Sequence, residues 1–204
     1  MVSETSKSKE VEEDWFSFFF DKVELISDEK AQQLWSRILA GEVNSPGTFQ
    51  YSLLHALSIM SKTQAELFCN IARFCMYEFQ GEEVHPLLFI SANASAYMSS
   101  KITASQLKEL ENLGLIQCNF NSEYVFLNKK KVFRYGNKVI EVFGDPNNND
   151  KIKAGNVVFT YNGKTLFGIV GEEHKRYRTD ILDFTITKLQ RRNCKVVLNG
   201  KPVL

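Results

Sequence analysis

The side chains of this chain whose grouping most suggests a chemistry are cations. Lys129, Lys130, Lys131 and Arg134 fall within a single short stretch. Lys175, Arg176 and Arg178 form a second group, and Arg191-Arg192 a third. The aromatics Tyr124, Phe133, Tyr135 and Tyr177 interleave with them. Such a set fits a polyanion, because cationic side chains release counterions from phosphates. The plainer reading is that hairpin lysines stop a strand edge from pairing, and that Arg191-Arg192 complement a helix C-terminus. The plainer reading gains weight from Ser105 to Leu113, the candidate groove helix, where Lys108 stands against Glu109 and Glu111. A helix that enters a groove is usually more basic.

Other constellations fall short of a chemistry. Gly163-Lys164-Thr165 imitates the end of a phosphate loop, but Val158 stands where that loop needs its first glycine. The pairs Glu82-Glu83 and Glu172-Glu173 each follow a glycine and read as solvated loop charges. His55, His85 and His174 are scattered, and Cys69, Cys75, Cys118 and Cys194 lack the tight spacing of a zinc site. They suit reduced thiols in a cytosol. Neither Gly-x-Ser-x-Gly, His-Glu-x-x-His nor Gly-x-Gly-x-x-Gly occurs. No catalytic, cofactor-binding or metal-binding residue is assigned.

The elements that must position these groups follow from charge and periodicity. Residues 1–100 hold 7 Lys+Arg against 14 Asp+Glu, a net −7, and residues 101–204 hold 18 against 10, a net +8. The asymmetry points to two differently charged modules. Residues 1–13 read as a flexible polar tail without the basic start and apolar middle of a signal peptide. The longest aromatic-rich block, Trp15 to Phe20, is far too short to span a bilayer. A cytoplasmic protein is the simplest expectation.

A first helix is expected from an Asp14 cap, burying Trp15, Phe16, Phe19, Phe20 and Val23. A second follows Ser27, with Ala31, Leu34, Trp35, Ile38 and Leu39 on one stripe. A third runs from about Thr48 to Met60. A fourth opens on the capping box Ser61 to Gln64 and carries its apolar face to Phe79. Short connections predict a compact bundle. Beyond residue 84, Thr103 to Gln106 is a second capping box, and Gly114 ends its helix. Short runs at Ile116, Tyr124–Leu127, Val132–Tyr135 and Val139–Phe143 predict strands. Asp145 to Asp150 is a loop, and Val157 to Phe159 a strand. Thr160 caps a helix, Tyr177 to Arg192 is the last helix, and Cys194 to Leu198 closes as a strand.

Trp35-Ser36-Arg37-Ile38-Leu39-Ala40-Gly41-Glu42 followed by Pro46-Gly47-Thr48-Phe49 resembles the signature of a bacterial family catalogued only as a domain of unknown function. The resemblance extends from Asp14 to the C-terminus and implies a shared fold, with no catalytic residues to carry over. Within it, Trp35, Arg37, Glu42, Pro46, Gly47 and Phe49 are read as structural. Two structural roles are open for the polar pair: Arg37 pairing with a carboxylate of the first helix, or Glu42 binding backbone amides at the Pro-Gly turn. Gly47 is expected to need a positive φ. The expected fold class is α+β. An acidic helical bundle over 14–84 precedes a basic part over 85–204, winged-helix-like, with a helix and hairpin and then a C-terminal helix and strand. The functional reading is a non-enzymatic protein-interaction or regulatory module, with another protein or a second copy as partner. The alternative is a nucleic-acid-binding regulator using the basic part, and an enzyme comes third.

Overall fold

The computed structural model describes residues 10–24, 26–80, 83–88, 102–119, 122–127, 129–153, 155–170 and 178–203. The chain divides into two compact units, Met1–Met60 and Ser61–Leu204.

The first unit holds α1 (Glu13–Val23), α2 (Glu29–Asn44) and α3 (Tyr51–Ile59). Asp28, one residue after the expected Ser27, caps α2: its carboxylate accepts the Ala31 N–H at 3.0 Å. Glu12 rather than Asp14 precedes α1, and Asp14 sits in the first turn, where it complements the helix dipole. The core is aromatic. Trp15 stacks on Phe19 at 5.2 Å, and Phe19 meets Trp35 edge-on at 5.4 Å. Ile38, Leu53 and Leu54 are fully buried beside them. Phe20, expected inside, is 56% exposed, because α1 turns it away from the Trp15–Phe19 stripe.

The second unit begins with α4 (Lys62–Phe74). Its capping box forms as expected, Ser61 and Gln64 satisfying each other's backbone amides. The helix stops at Phe74 instead of running to Phe79. Met76–Gln80 is instead β1, paired antiparallel with β2 (Glu83–Leu88). Phe79 lies four residues after Cys75, a spacing that fits a helix and a strand equally. Long-range pairing decides for the strand. The fourth helix therefore belongs to the second unit, and the β1–β2 pair spans the position where composition changes.

The remaining elements are α5 (Ala104–Asn112), β3 (Ile116–Cys118), β4 (Val125–Leu127), β5 (Lys130–Tyr135) and β6 (Lys138–Phe143). They continue with β7 (Lys151–Lys153), β8 (Val157–Phe159), α6 (Tyr161–Val170), α7 (Thr179–Gln190), β9 (Lys195–Leu198) and β10 (Lys201–Pro202). The fold is mixed α and β with antiparallel sheets. One sheet runs β10-β9-β6-β5-β1-β2-β8-β3, and a two-stranded ribbon pairs β4 with β7. The helix-strand-hairpin order of the sequence is present, but the hairpin is no free wing. β5 is flanked by β1 and β6 by β9, and β3 pairs with β8. The small, polar stretch 92–100 lies outside the described residues.

Helices cover the two faces of the eight-stranded sheet at different places. On one face, Phe68 of α4 and Phe167 of α6 pack on Phe159 at 5.7 and 5.9 Å. On the other, α7 turns in Ile181, Leu182, Ile186 and Leu189, and Tyr135 of β5 accepts the Arg178 N–H at 3.2 Å. The ribbon adds Phe126, which packs on Phe133. Near β5, β6 and β9 no helix among the described residues covers the face opposite α7: Val132 is 43% exposed, and Lys130, Arg134 and Lys195 are exposed with it.

Candidate functional site

The signature residues form a clasp between α2 and α3. Ser45, Pro46, Gly47 and Thr48 make a turn closed by the Thr48 N–H on the Ser45 carbonyl at 3.3 Å. Gly47 has φ +87°, as a type II turn with proline at its second position requires. Glu42, in the last turn of α2, is 2% exposed. Its Oε1 accepts the Gly47 N–H at 2.5 Å, and its Oε2 accepts the Phe49 N–H at 2.8 Å. The Phe49 carbonyl in turn accepts the Trp15 indole N–H at 2.7 Å. Gly41 leaves room for the Phe49 ring: a Cβ there would sit 2.7 Å from Cε2. The carboxylate answers amides that no helix or sheet would satisfy, so a buried charge keeps its hydrogen bonds. Arg37 lies on the exposed side of α2.

A groove of about 560 Å³ opens beside this clasp. Glu10, Glu12, Trp15, Phe49, Gln50 and Tyr51 are among its walls. Tyr51 is 40% exposed and meets Phe18 edge-on at 5.2 Å. Its phenol is raised above the ordinary tyrosine range by desolvation, and then by the Glu12 and Asp14 carboxylates.

The basic residues of the second unit are not one patch. Strand alternation splits the lysine run. Lys131 points inward with Phe133 and Tyr135, its Nζ 2.5 Å from Glu78 Oε1 and 4.9 Å from the centre of the Phe126 ring. Lys130 points to the open face, paired with Glu141 and 5.3 Å from the centre of the Phe143 ring. Arg134 shares that face in β5, and Lys129 is exposed just before the strand. Arg178 grips Asp180, with Nε 3.0 Å from Oδ1, and lies over Phe74. The Asp180 carboxyl is held below its ordinary range, first by this hydrogen bond. Arg191 follows α7 at its C-cap position and is exposed. Arg192 is tied to Glu123 and to the Lys153 carbonyl. Lys175 and Arg176 lie outside the described residues.

Sequence reasoning missed Lys195 and Phe143. Lys195 of β9 pairs in register with Phe143 of β6, and its Nζ lies 5.8 Å from the centre of that ring. Lys130 and Lys195 therefore flank one aromatic side chain. Alternation within Val139–Phe143 signals the face of Phe143, but the neighbour strand follows only from the sheet order.

Gly163 and two of the cysteines resolve into packing, while Glu82, Glu172, Glu173 and His174 lie outside the described residues. Gly163 is needed because a Cβ would fall 1.8 Å from the Leu115 carbonyl oxygen, so the first turn of α6 touches bare backbone. Thr160 caps it, accepting the Gly163 N–H at 3.1 Å. Burial pushes the Cys75 thiol well up and that of Cys118 to about 11, so neither is an activated nucleophile. Among the described residues no group of three or more His, Cys, Asp and Glu could hold a metal ion. No helix among them is long and apolar enough to cross a membrane.

A family model described as a protein of unknown function, DUF2806, matches residues 1–182. The chain belongs to the DUF2806 family. The match takes in the clasp, the strands from β1 to β8 and the start of α7. It begins at residue 1 rather than Asp14 and stops short of Arg191. No curated protein and no solved structure matches this DUF2806 chain.

Proposed function

We propose that this DUF2806 chain is a non-enzymatic interaction module of a bacterial cytoplasmic protein. In this reading its second unit holds an acidic segment of another protein on the open face of β5, β6 and β9. The observation that carries the reading is that face itself, where Lys130, Arg134 and Lys195 surround Val132 and Phe143, with the Glu141 carboxylate among them. Half-buried apolar side chains ringed by cations suit an acidic chain with apolar residues, since charge steers the encounter and apolar area holds it. Residues 61–204 carry 20 Lys+Arg against 14 Asp+Glu, a net +6 that favours the same partner.

A second reading, a nucleic-acid-binding regulator, is favoured by one feature. Phe143 between two lysines is an aromatic platform beside cations, the combination on which single strands stack. Fluorescence anisotropy of the full chain with a labelled glutamate-rich peptide, and with single-stranded and duplex DNA, separates the two. The primary reading predicts peptide binding that weakens with salt and is lost in Lys130→Ala/Arg134→Ala/Lys195→Ala. Tighter binding of single-stranded DNA, lost in the same variant, replaces it with the second reading. Peptide binding unchanged in the variant rejects this face.

A further inference from the structure

The first unit carries a charge opposite to that of the open sheet face. Residues 1–60 hold 5 Lys+Arg against 10 Asp+Glu, a net −5. The groove beside the clasp concentrates this. Among the described residues its lining includes Glu10, Glu12 and Glu42 and no Lys, Arg or His. Glu42 has both carboxylate oxygens on backbone amides, and its charge stays. Glu10 and Glu12 are exposed to the groove's solvent. Glu12 immediately precedes α1 without capping it through its side chain.

The aromatic walls match that charge. Tyr51 presents an accessible ring on one side, and Trp15 and Phe49 form the floor. A cation gains from an aromatic face and from a nearby carboxylate together, and the gain grows as water leaves. The floor is also rigid. Trp15 is fixed by the hydrogen bond its indole N–H donates to the Phe49 carbonyl, and Phe49 by the one its backbone N–H donates to the Glu42 carboxylate. A wall already fixed loses little freedom on binding. The volume, about 560 Å³, lies within the range of ordinary ligand pockets.

We propose that this groove receives a lysine or arginine side chain from a basic peptide segment of a protein partner, between the Glu10 and Glu12 carboxylates and the Tyr51 ring. A flexible cationic side chain has the shape for an open groove: its stem lies on Trp15 and Tyr51 and its head reaches the carboxylates. The proposal stands apart from the open sheet face, because it concerns a different unit and the opposite charge.

The test uses the full chain and a labelled short peptide with one arginine and one lysine. Its control carries citrulline and norleucine in their places. Glu10→Gln/Glu12→Gln and Tyr51→Leu change surface positions, and thermal unfolding verifies that each variant is folded. The expected result is saturable binding of the basic peptide, reported also by Trp15 fluorescence. Weakening by about tenfold or more is expected in each folded variant and with the uncharged peptide. Equal binding of the two peptides overturns the proposal, as does wild-type affinity in Glu10→Gln/Glu12→Gln. Tighter binding of free spermidine than of the peptide overturns the choice of a peptide partner.

Discussion

Glu42 and Lys131 are both charged groups held largely away from water, and the two units hold them in opposite ways. Glu42 meets two backbone amides five and seven residues downstream. Lys131 meets a carboxylate 53 residues away and an aromatic ring on the separate ribbon. The first arrangement satisfies both oxygens. The second leaves Glu78 Oε2 without a hydrogen-bond partner although Glu78 is 7% exposed. A charge answered by neutral dipoles shapes a turn. A charge answered by another charge fixes a register, here that of β1 against β5 and the ribbon, and it depends on both partners staying in place.

The largest effect should come from breaking the second arrangement. Lys131→Ala leaves Glu78 charged and unpaired, at a cost of about 3–5 kcal/mol, while Lys131→Met with Glu78→Leu should recover most of it. Chemical denaturation measures both. A double variant no more stable than the single one contradicts the ion-pair account.

A comparable loss, also about 3–5 kcal/mol, is expected for Trp35→Ala, since the aromatic core of the first unit cannot close the cavity. A loss below about 1 kcal/mol would be incompatible with Trp35 as a core residue. Smaller again is Gly41→Ala, at about 1–3 kcal/mol, because the new methyl must push the Phe49 ring aside. Its rescue by Phe49→Leu would tie the cost to that ring; no rescue would place the strain elsewhere.

The smallest effect separates conformation from contact. A Cβ at Gly47 meets nothing within 4 Å, so the cost of substitution there comes from the positive φ alone. Gly47→Asn should melt close to wild type, and Gly47→Val lower by about 1–2 kcal/mol of stability. Identical melting of the two variants is the outcome that would count against the turn.

What was legible in the sequence was local. Both capping boxes, the Gly114 stop, the Pro46-Gly47 turn and the Glu42 contact each lie within about seven residues, where side-chain reach and backbone geometry leave few alternatives. The strand runs were visible too, because β-branched and aromatic residues cluster there. The end of α4 was not visible, because Cys75 and Phe79 satisfy two periods and the deciding partner is β2. The sheet order was hidden for the same reason, and with it the meeting of Phe143 and Lys195. The lysine run shows the limit most clearly. Lys129, Lys130 and Lys131 look equivalent in sequence, yet one strand's alternation sends Lys130 to an open face and Lys131 to a buried ion pair.

The central claim is that the polar signature of this DUF2806 chain builds the turn between α2 and α3. Urea denaturation of Glu42→Gln tests it most directly. Glutamine keeps one acceptor oxygen and sets an N–H₂ group against a backbone N–H, so one buried amide loses its partner. The account predicts a loss of about 1.5–3 kcal/mol. A midpoint and slope equal to wild type would mean that Glu42 is dispensable to the fold and that the signature serves something else.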